Sequence, residues 1–290
     1  MKNYKLIGHI FAFLTVTIWS FAFVSNKALL SYMSPIENMI LRFLIAYIIL
    51  VLLYPKLNTI KSIKDEIHFA FLGFLGIFLY FILENFSLKY TQAANVGLYM
   101  GAIPILTAIT AHFLTKDEHL SKNVWIGFLL AIVGISLILF DSSKFELRIK
   151  GDILALLGAL VFAIYSVFLK LAPKCYHYIV VTRKSFLYGL VFMLIYYISL
   201  DKSFNISILK EPVVYLNILY LGAISSGLAF ILWQQGIEKI GSISASSYIY
   251  LVPLITALAG VFILNEQIST NMLIGAMLIL FGLYVAQKSK

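Results

Sequence analysis

Charged residues are scarce in this sequence. They make up 12% of its 290 residues, whereas hydrophobic residues make up 61% and the mean hydropathy is +0.95. Soluble proteins carry about 25% charged residues, so the composition excludes a chain built of soluble domains. It indicates a protein that lies almost entirely within a lipid bilayer.

Cysteine is nearly absent, and Cys175 is the single one. One cysteine excludes an intramolecular disulfide and a cysteine metal cluster. His112 and His119 lie further apart than one helical turn, the usual spacing of two metal ligands on a helix. We therefore expect no metal site and no cofactor.

Catalytic motifs are missing as well. The sequence contains no HExxH, no GxSxG, no pair of intramembrane aspartates and no GxxxxGK[ST]. These absences argue against an intramembrane enzyme, and they predict that ATP is not hydrolysed on this polypeptide.

Long apolar runs are abundant. A helix needs about 20 apolar residues to cross the hydrocarbon core, whereas a barrel strand is shorter and alternating. Ten runs have this helical length, so the sequence predicts an all-α integral membrane protein with ten transmembrane helices. The runs are residues 8–28, 36–54, 67–88, 93–115, 122–140, 151–170, 178–199, 213–236, 242–264 and 270–287.

The net charge is +9, but the basic residues cluster at the ends of the apolar runs. This distribution follows the positive-inside rule rather than indicating a nucleic-acid partner, and it predicts that both termini are cytoplasmic. The first run resembles a signal peptide, yet no small-x-small cleavage site follows it, so we expect a retained helix. Lysine far outnumbers arginine, a usage typical of AT-rich bacterial genomes, so the predicted location is the bacterial plasma membrane.

The sequence repeats itself. Residues 8–27 align with residues 151–170 at an offset of 143, which pairs Gly8 with Gly151. Later segments align at an offset of 149, which pairs Pro104 with Pro253, and then at 148. The predicted units are residues 1–143 and 144–290.

Each unit contains five predicted helices. Because five is odd, the second unit enters the membrane from the opposite side, and the two units are inverted repeats. Inverted repeats of this kind are typical of secondary transporters, which open alternately to either side around a site near the midplane.

Several motifs resemble the EamA-type branch of the drug/metabolite transporter superfamily. They are the Pro-x-x-Thr-Ala pattern at Pro104, the following acidic Glu118 with its glycine-spaced helix, and the second copy at Pro253, Glu266 and Gly275. The resemblance covers residues 5–287. It implies a ten-helix exporter with cytoplasmic termini and a central cavity lined mainly by helices 1, 3, 4, 6, 8 and 9.

Glu84 is a carboxylate within an apolar run, where an isolated charge costs about 2.5–3.5 kcal/mol. We therefore expect Glu84 to face the interior of the helix bundle rather than lipid. The functional interpretation is that Glu84 binds a substrate ammonium or accepts a proton. The structural interpretation is a fixed bond to helix N-termini or to a cation such as Arg42.

Aromatic and polar residues recur at similar depths in both repeats. Together with Glu84 they predict an aromatic-lined binding cavity with polar tips, although plain packing is the alternative for each one alone. The candidates are Trp19, Ser20, Tyr80, Tyr99, Tyr165, Gln234 and Tyr248.

Glycines and prolines form a second set of candidates. Small residues allow helix backbones to approach closely, and prolines kink helices. We expect packing or conformational hinges at Gly97, Gly101, Pro104, Pro253, Gly127, Gly134, Gly275 and Gly282.

The remaining charged residues of interest lie near helix ends. Arg42, and Arg183 with Lys184, are expected to snorkel to the membrane interface, with pairing of Arg42 to Glu37 or Glu84 as the alternative. Glu118 and Glu266 are expected to cap the helices that follow them.

The sequence thus predicts a carrier that exports a small metabolite, with amino acids or related amines as the preferred substrates. A flippase for lipid-linked substrates and a multidrug or cation exporter are the alternatives. The sequence leaves open whether transport is coupled to protons and whether the carrier is a monomer or a homodimer.

Overall fold

The computed structural model describes residues 2–56, 61–91, 93–140, 147–200, 206–264 and 269–288, and no β-strand occurs in these ranges. Ten helical units, α1 to α10, follow one another. They are α1 (Lys2–Leu29), α2 (Pro35–Leu53), α3 (Ile63–Tyr90), α4 (Ala93–Met100 and Ile103–Leu114), α5 (Lys122–Leu139), α6 (Ile149–Lys170), α7 (Tyr178–Ser199), α8 (Pro212–Ile240), α9 (Ser242–Ser247, Tyr248–Tyr250 and Leu251–Leu264) and α10 (Thr270–Gln287).

Nine of these units, all except α9, are long and apolar enough to cross a membrane within the described ranges, and α9 contributes a shorter apolar helix, Ser242–Thr256. The prediction of an all-α membrane protein with two five-helix repeats is therefore confirmed. The predicted boundary between residues 143 and 144 lies outside the described residues.

The helices of one repeat pack mainly on helices of the other. Helix α1 packs on α8, α3 on α6, α2 on α7 and α8, α4 on α6, and α5 on α10. The repeats therefore interlock around a shared core instead of forming two separate bodies.

Equivalent glycines make equivalent contacts in this arrangement. A Cβ on Gly8 at the beginning of α1 would lie 2.7 Å from side-chain atoms of Lys239 and Ile240 at the end of α8. A Cβ on Gly151 at the beginning of α6 would lie 2.6 Å from Thr91, directly after α3. Each repeat's first helix thus begins where the other repeat's third helix ends, which is the geometry of inverted repeats.

Helices α4 and α9 are interrupted at equivalent positions. A turn at residues 101–102 divides α4, two residues before Pro104, and the 3₁₀ turn Tyr248–Tyr250 interrupts α9, three residues before Pro253. The proline ring removes one backbone donor and clashes with the preceding turn, which accounts for a break near this position.

Helices α3 and α8 each contain a π-helical segment, Gly73–Leu79 in α3 and Tyr220–Leu228 in α8. All positions of the first segment map onto the second at the repeat offset of 149. Such segments are rare and frequently lie at functional sites.

The cap of α5 differs from the prediction, and a serine also caps α10. Ser121 accepts a hydrogen bond from the backbone N–H of Val124, and Ser269 accepts one from that of Met272. Glu118 instead accepts the backbone N–H of Ile243 at 3.2 Å and the hydroxyl of Ser242, so it caps α9. Glu266 lies outside the described residues.

Candidate functional site

Trp19 on α1 and Phe162 on α6 contact each other edge to face, with ring centroids 5.7 Å apart and an interplanar angle of 81°. They occupy equivalent positions of the two repeats, at the offset of 143. The contact therefore brings together two helices related by the inverted symmetry.

Further aromatic rings surround this pair. Phe230 and Trp233 on α8 have centroids 5.5 Å and 5.2 Å from that of Trp19. Tyr80 on α3 and Tyr165 on α6 lie 4.9 Å and 5.7 Å from Phe162. We call Trp19, Tyr80, Phe162, Tyr165, Phe230 and Trp233 the central aromatic cluster.

The π-helical segments position this cluster. The carbonyl oxygen of Ser225, within the segment of α8, accepts the indole N–H of Trp19 at 3.1 Å. In the segment of α3, Gly76 lies against the Tyr165 ring, and a Cβ there would lie 2.3 Å from the ring carbon Cδ2. Only glycine allows the ring this close approach.

Glu84 lies beside the cluster on α3 and is 6% exposed. Its Oε1 accepts a hydrogen bond from the hydroxyl of Tyr80 at 3.1 Å, one helical turn away. The same hydroxyl lies 3.9 Å from the sulfur of Met100 on α4. Tyr80 thus links the carboxylate to the aromatic rings.

Arg42 on α2 is 3% exposed, so the prediction that it snorkels to the interface is wrong. Its Nε donates to the hydroxyl of Ser226 at 2.9 Å, and Nη2 donates to that of Ser225 at 3.3 Å. Its guanidinium carbon lies 4.8 Å from the centroid of Phe81 and 5.2 Å from that of Phe43. These contacts hold the guanidinium within the bundle.

Arg183 and Lys184 on α7 have partners directly after α2 and near the beginning of α3. Arg183 donates to the carbonyl oxygens of Tyr54 at 2.7 Å and Lys56 at 3.0 Å, directly after α2. Lys184 forms an ion pair with Glu66 near the beginning of α3. Both residues connect the two repeats.

Four predicted site residues have partners outside the cluster. Ser20 donates to the carbonyl oxygen of Val16 at 2.7 Å, and Gln234 accepts from the hydroxyl of Thr182 at 2.6 Å.

The other two are tyrosines. The hydroxyl of Tyr248 lies 3.0 Å from Nδ1 of His9. Tyr99 lies within electrostatic range of Asp152. The structure thus brings together Trp19, Tyr80, Glu84 and Tyr165 but places these four elsewhere.

The glycines of α5 and α10 meet across one interface. A Cβ on Gly127 would lie 2.6 Å from the carbonyl oxygen of Gly282, and one on Gly134 would lie 2.6 Å from that of Gly275.

The glycines of α4 lie against α5. A Cβ on Gly101 would lie 2.8 Å from Ile135 of α5, whereas one on Gly97 would lie 3.3 Å from Leu139.

A polar cluster lies at the membrane face where α4 and α6 end and α9 begins. Nζ of Lys170 lies 2.7 Å from both carboxylate oxygens of Asp117 and 3.2 Å from Oε2 of Glu118. The hydrogen bond from Lys170 lowers the pKa of the Asp117 carboxyl from its ordinary value. This cluster ties the loop after α4 to the second repeat.

Sequence reasoning missed Phe162, Phe230, and the serines that hold Arg42. The repeat alignment contains a signal for Phe162, because it is the equivalent of Trp19. No comparable signal marks Ser225 and Ser226, which align with Gly76 and Ile77 of the first repeat.

Two interlocked inverted repeats, interrupted helices and a polar, aromatic centre define a multi-pass membrane transporter. The EamA-like transporter family matches residues 6–140 and 149–286. The chain belongs to this family.

Known relatives agree with this assignment. The chain is 29% identical over 268 residues to the uncharacterized transporter YyaM of Bacillus subtilis (strain 168), covering 90% of this chain and 87% of YyaM. It is 27% identical over 285 residues to an uncharacterized transporter of Archaeoglobus fulgidus, covering 96% of each. A solved structure titled "Crystal structure of protein" has the same fold, with a TM-score of 0.81, 20% identity and 99% of each chain covered.

Proposed function

We propose that this transporter is a secondary carrier that exports small amphipathic metabolites, amino acids or related amines, from the bacterial cytoplasm by alternating access. The observation that carries the proposal is the position of Glu84, a carboxylate buried in the membrane-spanning part of α3 and joined through Tyr80 to the central aromatic cluster. A carboxylate at this depth is costly and is retained most often for function.

The chemistry of the surroundings supports this substrate class. Aromatic faces attract organic cations and pack well against apolar side chains, and Glu84 complements an ammonium group. Trp233 is fully buried, and its indole N–H has no hydrogen-bond partner among the described residues. Such a donor costs about 1–3 kcal/mol when unpaired, and in our proposal a substrate acceptor group binds it.

The architecture supports alternating access. Interrupted helices next to a midplane site are characteristic of inverted-repeat carriers. In our proposal residues 1–143 and 144–290 exchange conformations, and the interruptions at Gly101 with Pro104 and at Pro253 serve as hinges. The termini lie in the cytoplasm.

A multidrug or cation exporter is the alternative that a specific observation favours, because Glu84 and the aromatic rings also suit cationic drugs. A flippase for lipid-linked substrates has less support, since such a protein needs a path open sideways to the bilayer. Phe162, Phe230 and Trp233 are buried inside the bundle and do not face lipid.

The test is counterflow in proteoliposomes with a panel of labelled amino acids and amines, with and without a pH gradient. We expect uptake of at least one of them, and we expect Glu84→Gln to abolish it without loss of folded protein. Glu66→Gln is the matched control, because Glu66 is also a buried carboxylate on α3 but is paired with Lys184 away from the cluster. Movement of a lipid probe without uptake of any amino acid or amine would contradict the proposal.

A further inference from the structure

Two opposite charges are buried in the membrane-spanning core without forming an ion pair. Arg42 on α2 and Glu84 on α3 are 3% and 6% exposed and lie within electrostatic range of each other. An ion pair requires an N–O distance of 4.0 Å or less, and no such distance joins their described side chains. A direct contact would relieve much of the cost of burying both charges.

The guanidinium of Arg42 retains free binding capacity. It carries five N–H donors, and the hydroxyls of Ser225 and Ser226 take one each, from Nη2 and Nε. Nη1 makes no hydrogen bond to any described residue. The contacts with Phe43 and Phe81 orient the guanidinium plane, so the remaining donors keep a fixed direction.

The carboxylate of Glu84 likewise has hydrogen-bonding capacity that the described residues do not use. Its Oε1 accepts the Tyr80 hydroxyl, while Oε2 has no hydrogen-bond partner among the described residues. A carboxylate in an apolar setting is stabilised when both of its oxygens are hydrogen-bonded. One oxygen is therefore left for a group that the protein does not itself supply.

We propose that Arg42 and Glu84 form a two-point site for a zwitterion. The substrate carboxylate binds to Nη1 of Arg42, its ammonium binds to Oε2 of Glu84, and its side chain packs on the central aromatic cluster. This assignment rests on the proposed function and narrows it from amines in general to amino acids with both charges. Arg42 is thereby a specificity-determining residue.

The π-helical segment of α8 explains why the site contains residues from both repeats. Ser225 belongs to this segment, holds Arg42 through its hydroxyl, and accepts the Trp19 indole N–H through its carbonyl oxygen. The same residue thus positions one charged end of the site and one ring of the cluster. Guanidinium groups held in this way bind carboxylates with two parallel hydrogen bonds, which a lysine cannot reproduce.

The experiment compares three ligands that share one phenyl ring: L-phenylalanine, phenethylamine, which lacks the carboxylate, and 3-phenylpropionate, which lacks the ammonium. Binding is measured on purified carrier, and uptake is measured by counterflow. We expect the wild type to prefer L-phenylalanine over each analogue by at least about 10-fold, because a site built around a polar group rejects a ligand without it.

Each of two variants is expected to remove one of these two preferences and to leave the other. In the binding measurement, Arg42→Gln is expected to remove the preference over phenethylamine, and Glu84→Gln is expected to remove the preference over 3-phenylpropionate. If Arg42→Gln fails to fold, the double variant Ser225→Ala/Ser226→Ala, which leaves the guanidinium unheld, should reduce the first preference. Arg183→Gln is the matched control, since Arg183 is also buried but binds carbonyl oxygens after α2, and both preferences should persist.

The outcomes separate this inference from the proposed function. Equal binding of phenethylamine and L-phenylalanine by the wild type, unchanged in Arg42→Gln, would overturn the zwitterion site and leave an amine carrier. Absence of binding and uptake for every amino acid and amine tested would overturn both.

Discussion

Gly134 of α5 and Gly275 of α10 lie backbone to backbone, so that a Cβ on either residue would lie 2.6 Å from the carbonyl oxygen of the other. Gly127 and Gly282 make the equivalent contact. In lipid, where no hydrophobic effect drives helices together, such close approach is a main source of helix association.

We expect Gly134→Ala to destabilise the protein by about 1–3 kcal/mol, because the new methyl group overlaps a backbone atom that cannot move independently. Thermal unfolding in detergent measures the effect. Gly158→Ala on α6 is the control, since its Cβ would lie 3.6 Å from the nearest atom. Equal stability of the two variants would contradict the close contact between α5 and α10.

The indole N–H of Trp19 gives a second prediction. Trp19→Phe keeps an aromatic ring but loses the hydrogen bond to Ser225, so we expect a loss of about 1 kcal/mol and slower transport. Trp19→Ala should cost about 3–5 kcal/mol. Trp125→Phe is the control, because Trp125 on α5 is exposed, and it should behave as the wild type. A Trp19→Phe protein with unchanged stability and transport would show that the hydrogen bond is dispensable.

Gly241, between α8 and α9, gives a third prediction. Its φ is +86°, and a Cβ would lie 2.1 Å from Oε1 of Glu118. We expect Gly241→Ala to lower stability by about 1 kcal/mol or more, because it adds backbone strain to a displacement of the α9 cap. The ψ of Gly241 is +164°, so the backbone lies in a region that essentially only glycine adopts, and Gly241→Asn is expected to be at least as destabilising. Full retention of stability in Gly241→Ala would refute both causes.

The polar cluster at Lys170 predicts a pH effect. Because Lys170 holds the folded-state pKa of Asp117 below the ordinary value of 3.8, the ionised carboxylate stabilises the folded state at higher pH. This contribution is lost as the pH falls below about 3.8 towards the lower folded pKa. Asp117→Asn should remove that acid dependence with little effect at pH 7, since Asp117 is 72% exposed. Glu118→Gln should be more damaging at pH 7, because Glu118 caps α9.

The membrane span of α6 predicts a labelling pattern. Cys175, the single cysteine, is exposed in the connection between α6 and α7, whereas Lys150 is exposed at the beginning of α6, at the opposite membrane face. A membrane-impermeant maleimide should label Cys175 from one side only. In a Cys175→Ser background it should label Lys150→Cys from the other side only, and labelling of both from one side would contradict the fold.

Much of this fold was predictable because membrane helices have a simple physical signature in length and hydropathy. The ten runs and the repeat offsets predicted the ten units and their inversion. The ends of α3 and α8 were not predictable, since both helices continue past the apolar core into residues such as Lys64 and Lys239 that hydropathy excludes.

The site was less predictable. Trp19, Tyr80 and Glu84 stood out as polar or amphipathic residues within apolar runs. Phe162 did not, because the sequence contains 23 phenylalanines and hydropathy alone cannot separate them. Arg42 was misjudged because its serine partners lie 183 and 184 residues away in the other repeat. A helix sequence shows the depth of a residue but not the neighbour that it faces.

The interlocking of the repeats bears on how this protein is synthesised. Helices emerge from the ribosome in order. Helix α1 packs mainly on α8, and α5 packs mainly on α10, so each of these helices is synthesised well before its main partner. The early helices are therefore inserted in the bilayer before their final contacts can form, and the packing of the bundle is complete only after the last helix is inserted. Either half produced alone would present unmatched glycine grooves and buried charges to lipid, but two halves produced together have the surfaces required to reassemble.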